Sequence, residues 1–245
     1  MKELPVALGD EDVRAILDGT MTQIRRAIRP QPEGHHWEGM RGHEHTAYGW
    51  KGEAVWSFAH TIPQNPNPDV ERIRCPFGAD GDALWVRETW AYYGGEEYLY
   101  QREPGAVCYR ASYDDDPRIS FTDRLVGAIH GGRWRPSIHM PQWASRITIG
   151  VTSVRAERLH AVTAEDILAE GVRVPTTPEG TPLVDVGGRD APVAFLDPSK
   201  PRTGEDHLRA QYASRWSRRY GRASWDANPW TWVANFTKHK VRSCV

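Results

Sequence analysis

The 245-residue sequence predicts an α+β chain, a small mixed or antiparallel β-barrel with short helices at its rim and long loop insertions. Three observations lead there. Strand patterns follow one another without crossover helices between them, which argues against a doubly wound parallel sheet. Twenty-two glycines and 18 prolines cut the chain into many loops. An apolar content of 39% with 26% charged residues is enough for a packed core and argues against global disorder. One domain spans residues 1–245, with insertions at about 33–80 and 172–202.

The elements follow in chain order. "GDEDVRAILDG" (9–19) reads as a short helix capped by Asp10 and closed by Gly19, with Val13, Ile16 and Leu17 as its buried stripe. "TQIRRAIR" (22–29) reads as a strand stopped by "PQP". "EAVWSFAH" (53–60) is a strand inside the first insertion. "GDALWVRETW" (81–90) alternates Leu84 and Val86 against Trp85 and Arg87 after a Gly-Asp turn. "GAVCYRAS" (105–112) and "SRITIGVTSVRAERL" (145–159) are further strands. "TAEDILAEG" (163–171) is a second short helix, with Thr163 and Asp166 as a capping box and Gly171 as its stop. "GEDHLRAQYASRWSRRYG" (204–221) puts Leu208, Tyr212 and Trp216 on one helix face, and "PWTWVANF" (229–236) is a closing strand.

Composition narrows function less than fold. A net charge of −1 gives no global support to nucleic-acid binding, although a local patch remains open. The basic residues are 26 Arg and 5 Lys, and arginine suits bidentate contact with phosphates and base edges; a bias in codon composition explains the same ratio. Eleven tryptophans serve equally as core or as stacking platforms. Cys75, Cys108 and Cys244 are far apart with no CxxC pair, which fits a reducing, cytoplasmic setting. The run "MKELPVALGDEDV" has no long apolar stretch, so neither a leader nor a membrane partner is expected.

Some clusters invite a chemical reading. His35, His36, His43 and His45, with Glu38 and Glu44, carry metal-ligating side chains, but their spacing matches no familiar site. A solvated histidine-rich loop explains them as well, and no metal or cofactor is expected. "GGRWRPSIHMPQWASRI" (131–147) sets three arginines and two tryptophans among prolines, either to hold a base or phosphate or to cap the barrel. Glu170 ends the second helix, where the negative end of the helix dipole raises a carboxyl pKa and suits a general base.

"ILDGTMTQIRR", "GDALWV", "TIGVTSVRAERL" followed by "TAEDILAEG", and "WVANF" together resemble the ASCH family, in that family's order and over about a third of the chain. "LWVRETW", "WRPSIHMPQWASRI" and "SWDANPW" are similar to a larger phage- and prophage-encoded branch of it. The resemblance implies a PUA-like β-barrel. Small members include amidohydrolases that cleave N4-acetylcytidine with a Lys and a Thr from a "KTxT" run and a Glu late in the second helix. Matching without gaps puts the Lys at Met21, the two Thr at Thr22 and Ile24, and the Glu at Glu170. Met21 has no charge to hold an oxyanion and Ile24 no hydroxyl to attack a carbonyl, so two of the family's positions are altered.

Three readings follow. The first is a nucleic-acid or modified-nucleoside binder. A base would stack on Trp85, Trp90 or Trp134 and meet Glu170 or Gln23 at its edge. Arg25, Arg26, Arg135 and Arg146 would hold phosphate or sugar, and Arg87, Glu88 and His139 belong to the same motifs. Because strand neighbours face opposite ways, only one of Arg25 and Arg26 should enter the pocket; Arg26 is expected, since it shares a face with Thr22 and Ile24. The second reading is a hydrolase on N4-substituted cytosine, with Glu170 as general base, Thr22 nearby, and Arg26 or His139 stabilising the electrophile. The third is a phage accessory protein whose protein partners the sequence leaves unknown, with "SRWSRRYGR" as a solvated helix face.

Overall fold

The computed structural model describes residues 1–31, 55–59, 70–92, 107–113, 134–173, 183–185, 190–192 and 204–241. The chain is a mixed α+β fold built on one five-stranded sheet. Its strands are β1 (Glu3–Ala7), β2 (Gln23–Ala27), β5 (Ala83–Arg87), β8 (Ile147–Arg158) and β11 (Trp230–Val241), in the order β1-β5-β8-β11-β2. β1 runs parallel to β5, and every other pairing is antiparallel. Three two-stranded antiparallel ribbons accompany it: β3 (Val55–Ala59) with β4 (Val70–Arg74), β6 (Trp90–Tyr92) with β7 (Val107–Tyr109), and β9 (Leu183–Asp185) with β10 (Asp190–Pro192). The helices are α1 (Asp10–Leu17), α2 (Ala164–Ala169), α3 (Gly204–Tyr220) and α4 (Arg222–Asp226). Among the described residues no helix is long and apolar enough to cross a membrane.

Strand alternation divides the sheet into two faces. Ile24, Leu84, Val86, Ile147, Ile149, Trp232 and Phe236 enter one core, which α1 closes with Val13 and Ile16. The expected alternation of "ALWVR" holds: Leu84 and Val86 are buried, while Trp85 and Arg87 are half-buried on the other face. A second apolar cluster joins Ile167 and Val172, at the end of α2, to Leu208, Tyr212 and Trp216 of α3, the three residues that sequence spacing set in register. A third holds Trp90, Val107, Tyr109, Met140 and Ala144 around the β6–β7 ribbon. Cys75 is buried in the main core and Cys108 beside Ala91 in a small separate cluster, and burial pushes the Cys75 thiol up to about 12, as befits a small apolar filler.

Three details differ from expectation. The run expected as a strand over 105–112 is one only at Val107–Tyr109, within the described residues, and becomes a 3-10 helix at Arg110–Ser112. Gly9, not Asp10, precedes the first helical turn, and the Asp12 carboxylate accepts from the Gly9 N–H at 3.4 Å. The run 81–90 is not one strand. It leaves the main sheet after Arg87, because Glu88 turns inward to a buried ion pair with Arg146, and resumes as β6 in a separate ribbon.

α1 and α2 end alike. Gly19 (φ 74°) and Gly171 (φ 75°) occupy the left-handed region that closes a helix. The Gly19 N–H reaches the Ile16 carbonyl at 3.1 Å and the Thr20 N–H the Ala15 carbonyl at 2.8 Å. In α2, Gly171 and Val172 repeat the pattern on Leu168 and Ile167 at 2.9 and 3.2 Å. The two ends also touch. A Cβ on Gly171 would lie 3.0 Å from the Ala15 Cβ and 3.3 Å from the Met21 Cβ, whereas one on Gly19 would meet nothing within 4 Å. Gly19→Ala should therefore cost about 1–2 kcal/mol, the left-handed backbone penalty alone. Gly171→Ala should cost at least about 1 kcal/mol more through overpacking. Urea denaturation of the two variants measures the gap, and equal losses would contradict the close approach.

Candidate functional site

The meeting of the two helix ends creates the site. Met21 forms an isolated antiparallel bridge with Glu170, and the Thr22 N–H donates to the Ala169 carbonyl at 2.8 Å. The positions that the ASCH resemblance pairs across about 150 residues of chain are thus neighbours in space. Met21, Ile24, Arg25 and Glu170 share a cavity of about 30 Å³ with Tyr212 and Trp216 of α3. That is room for about one water molecule.

Glu170 is 7% exposed, and its carboxylate is held from three sides. Oε1 accepts from Arg25 Nε at 2.7 Å and from Gln23 Nε2 at 3.3 Å, and Oε2 accepts from the Tyr212 hydroxyl at 2.9 Å. Arg215 of α3 donates to the Glu170 backbone carbonyl at 2.9 Å, so a cation meets the negative end of α2. Around this centre, Arg25 Nη1 reaches Glu157 at 2.5 Å and Thr231 Oγ1 at 3.3 Å. Arg155 ties Glu157 to Asp166 at 2.9 and 2.6 Å. Two arginines therefore face three carboxylates. Burial pushes the Glu170 carboxyl up against the pull of Arg25, Tyr212 and Gln23. Burial also opposes the Arg25 charge, yet Glu170 and Glu157 hold that guanidinium above its ordinary range. One donor is left over: Arg25 Nη2 is buried without a hydrogen bond, 3.6 Å from Asp166 Oδ2.

The candidate residues fall into separate groups. Glu170, Gln23 and Arg25 converge at the pocket. The arginine that enters is Arg25, not Arg26, because the face shared by Ile24 and Arg26 is the core face of the sheet. Arg26 instead extends across the fold to donate to the Ala7 carbonyl, linking the two edge strands β2 and β1. Thr22 is exposed and contributes its backbone, not its hydroxyl. Trp85, Arg87 and His139 lie together elsewhere: the Arg87 guanidinium sits 5.3 Å from the Trp85 ring centroid and donates to the carbonyls of Met140 and Ile138.

Trp90 is 2% exposed, in edge contact with Tyr92 and Trp143, so it offers no open stacking face. Exposed Arg135 covers Trp90 and Tyr92 at 5.4 and 5.0 Å. Trp134 packs edge-on against Tyr113. Arg146, expected at phosphate, is buried in a bidentate pair with Glu88 at 2.9 Å and lies over the Tyr109 ring. Burial pushes the Glu88 carboxyl up despite that partner.

Sequence reasoning missed Tyr212, Arg155, Glu157 and Asp12 as site residues. Tyr212 reads as part of an apolar helix stripe, and Arg155 and Glu157 lie within "TIGVTSVRAERL" with no role assigned; α3 and β8 bring the three to the site. Asp12 binds Arg215 and Arg219, so the basic end of α3 is not a free solvated face. His35, His36, His43, His45 and Cys244 lie outside the described residues; among those described, no group of acids, histidines and cysteines is placed to hold a metal. Comparison with family models, with curated proteins and with solved structures finds no match to this chain.

Two outcomes follow from this network. Arg25→Met should lower stability by about 3–5 kcal/mol, since it leaves buried carboxylates without their cation; a loss under about 1 kcal/mol in chemical denaturation would show the network to be loose. Burial disfavours the Asp166 charge, but the Thr163 N–H and Arg155 outweigh it and hold the carboxyl below its ordinary value. An acid with a depressed folded pKa stabilises above its unfolded pKa, near 4, and loses that contribution as pH falls through the folded value. The difference in denaturation midpoint between wild type and Asp166→Asn should be open at pH 7 and shrink below about pH 4.

Proposed function

We propose that this chain is a nucleobase-recognition module of the ASCH type, with a PUA-like barrel and without the hydrolytic chemistry of the small family members. The observation that carries the reading is the convergence of Met21, Gln23, Arg25 and Glu170 on one buried spot, with the Arg25 Nη2 donor unsatisfied. A buried donor that makes no hydrogen bond, with only an ion-pair contact to Asp166 at 3.6 Å, costs stability unless something answers it. A carboxylate beside a guanidinium donor complements the amine-and-carbonyl edge of a cytosine-like base. The link between β1 and β2 through Arg26 supports the barrel, since it brings the two sheet edges together.

Three features favour binding over hydrolysis. Glu170 is engaged with Arg25, Gln23 and Tyr212, Met21 brings no charge, and the Thr22 hydroxyl takes no part in the pocket. The small cavity means that a base enters only as Tyr212 and Trp216 of α3 move aside. Displacing Tyr212 releases Glu170 Oε2 for the exocyclic amine.

Mass spectrometry after incubation with a panel of modified nucleosides and oligonucleotides, run beside calorimetry, tests the reading. A cytosine-like ligand should bind and be recovered unchanged, and Glu170→Gln should weaken it by about ten-fold or more, the scale of a charge-assisted hydrogen bond. Rapid turnover of N4-acetylcytidine would overturn the reading in favour of a hydrolase. Failure of every nucleoside and oligonucleotide to bind would overturn it altogether.

A further inference from the structure

A second cavity, of about 240 Å³, lies at the other end of β8 from Arg155 and Glu157. It opens over the face of the sheet that carries Trp85. We propose that it is a nucleotide-binding cleft, in which a base stacks on Trp85 and its phosphate meets Lys240. The inference takes its ligand class from the reading above, but none of its residues lines the Glu170 pocket.

Strand register places these groups. Trp85 pairs with Thr148 across β5 and β8, and Thr148 pairs with Lys240 across β8 and β11. The Trp85 and Lys240 backbones therefore stand two strands apart, about 10 Å, and both residues line the one cleft, on a scale that a single nucleotide can bridge. The ring is half-buried and fixed: Arg87 lies over it at 5.3 Å and is itself anchored on the carbonyls of Ile138 and Met140. A half-exposed indole with Arg87 over one face leaves its other face as the stacking platform for a base.

The walls set the orientation. Gln142 donates to Glu3 Oε2 at 2.5 Å on the rim away from β11, so an acid and an amide face the base edge there. That acid repels phosphate, whereas Lys240 and its neighbour His239 line the opposite end. Among the described residues Lys240 is exposed and has no acidic partner. The cleft thus runs from a base-reading end to a cationic end, with the indole between. Its volume admits a planar base with part of its sugar, where the pocket at Glu170 holds about one water.

The same chemistry is presented by a free nucleotide and by one residue of a single strand. Fluorescence anisotropy with a labelled oligothymidylate and calorimetry with cytidine monophosphate separate them, at about 50 and 200 mM salt. Trp85→Leu should weaken binding by about ten-fold or more, and Trp85→Phe should retain most of it. Lys240→Gln should weaken binding several-fold and reduce the slope of log affinity against log salt by about 0.7. Strand-only binding that obeys this pattern assigns the cleft to single strands, and comparable binding of the mononucleotide assigns it to free nucleotides. Binding that ignores Trp85 and Lys240 yet falls in Glu170→Gln would overturn the cleft and leave the Glu170 reading intact. No binding by the folded wild-type chain would overturn both.

Discussion

The ion pair between Arg25 and Glu170 is the interaction on which the rest of the site depends. Two helices end against each other there, and each brings the negative end of its dipole. An acidic side chain at the same spot adds to that charge. Such an arrangement is stable only with cations embedded in it, and Arg25 and Arg215 supply them, one through the carboxylate and one through the backbone carbonyl of the same residue. The arginines reach that point from unrelated parts of the chain, an edge strand and a late helix. Holding both in place requires the sheet, α2 and α3 to be assembled together.

That dependence places the shape of the site in its backbone and its ion pairs, not in the side chains of Met21 and Ile24. Met21 and Ile24 occupy positions where the resemblance expects lysine and threonine. Both are buried in the main apolar core, and Met21 still bridges to Glu170 through the backbone. A backbone bridge does not require any particular side chain. The helix ends, the glycine at each and the strand that follows meet through backbone contacts, so their geometry does not depend on the side chains at 21 and 24.

Local features were legible in the sequence. The capping box of Thr163 and Asp166, the glycine stops at 19 and 171, the stripe of Leu208, Tyr212 and Trp216, and the alternation of residues 84–87 all depend on neighbours within a few positions. Long-range relations were not. That Arg25 rather than Arg26 meets Glu170 depends on which face of β2 the core takes, and alternation alone leaves that choice open. Glu88 and Arg146 read as exposed members of basic, aromatic motifs, yet each neutralises the other in the interior. The pairing of β1 with β5 and of β2 with β11 has no local signal at all.

The strand order also governs how the molecule is made. β11 lies between β8 and β2, and it is the last strand of the sheet to leave a ribosome. Until it arrives, β2 has no neighbour in the sheet, although it was synthesised some two hundred residues earlier. The nascent chain must carry an unpaired β2 for most of its synthesis and, once β8 has emerged, an unmatched edge of β8 as well. Those edges are templates for pairing with other chains, and the closing contacts span the longest loops in the molecule. Translation that stops short of residue 230 would yield a product lacking the strand that joins β2 to the sheet, prone to aggregate rather than to retain part of its function.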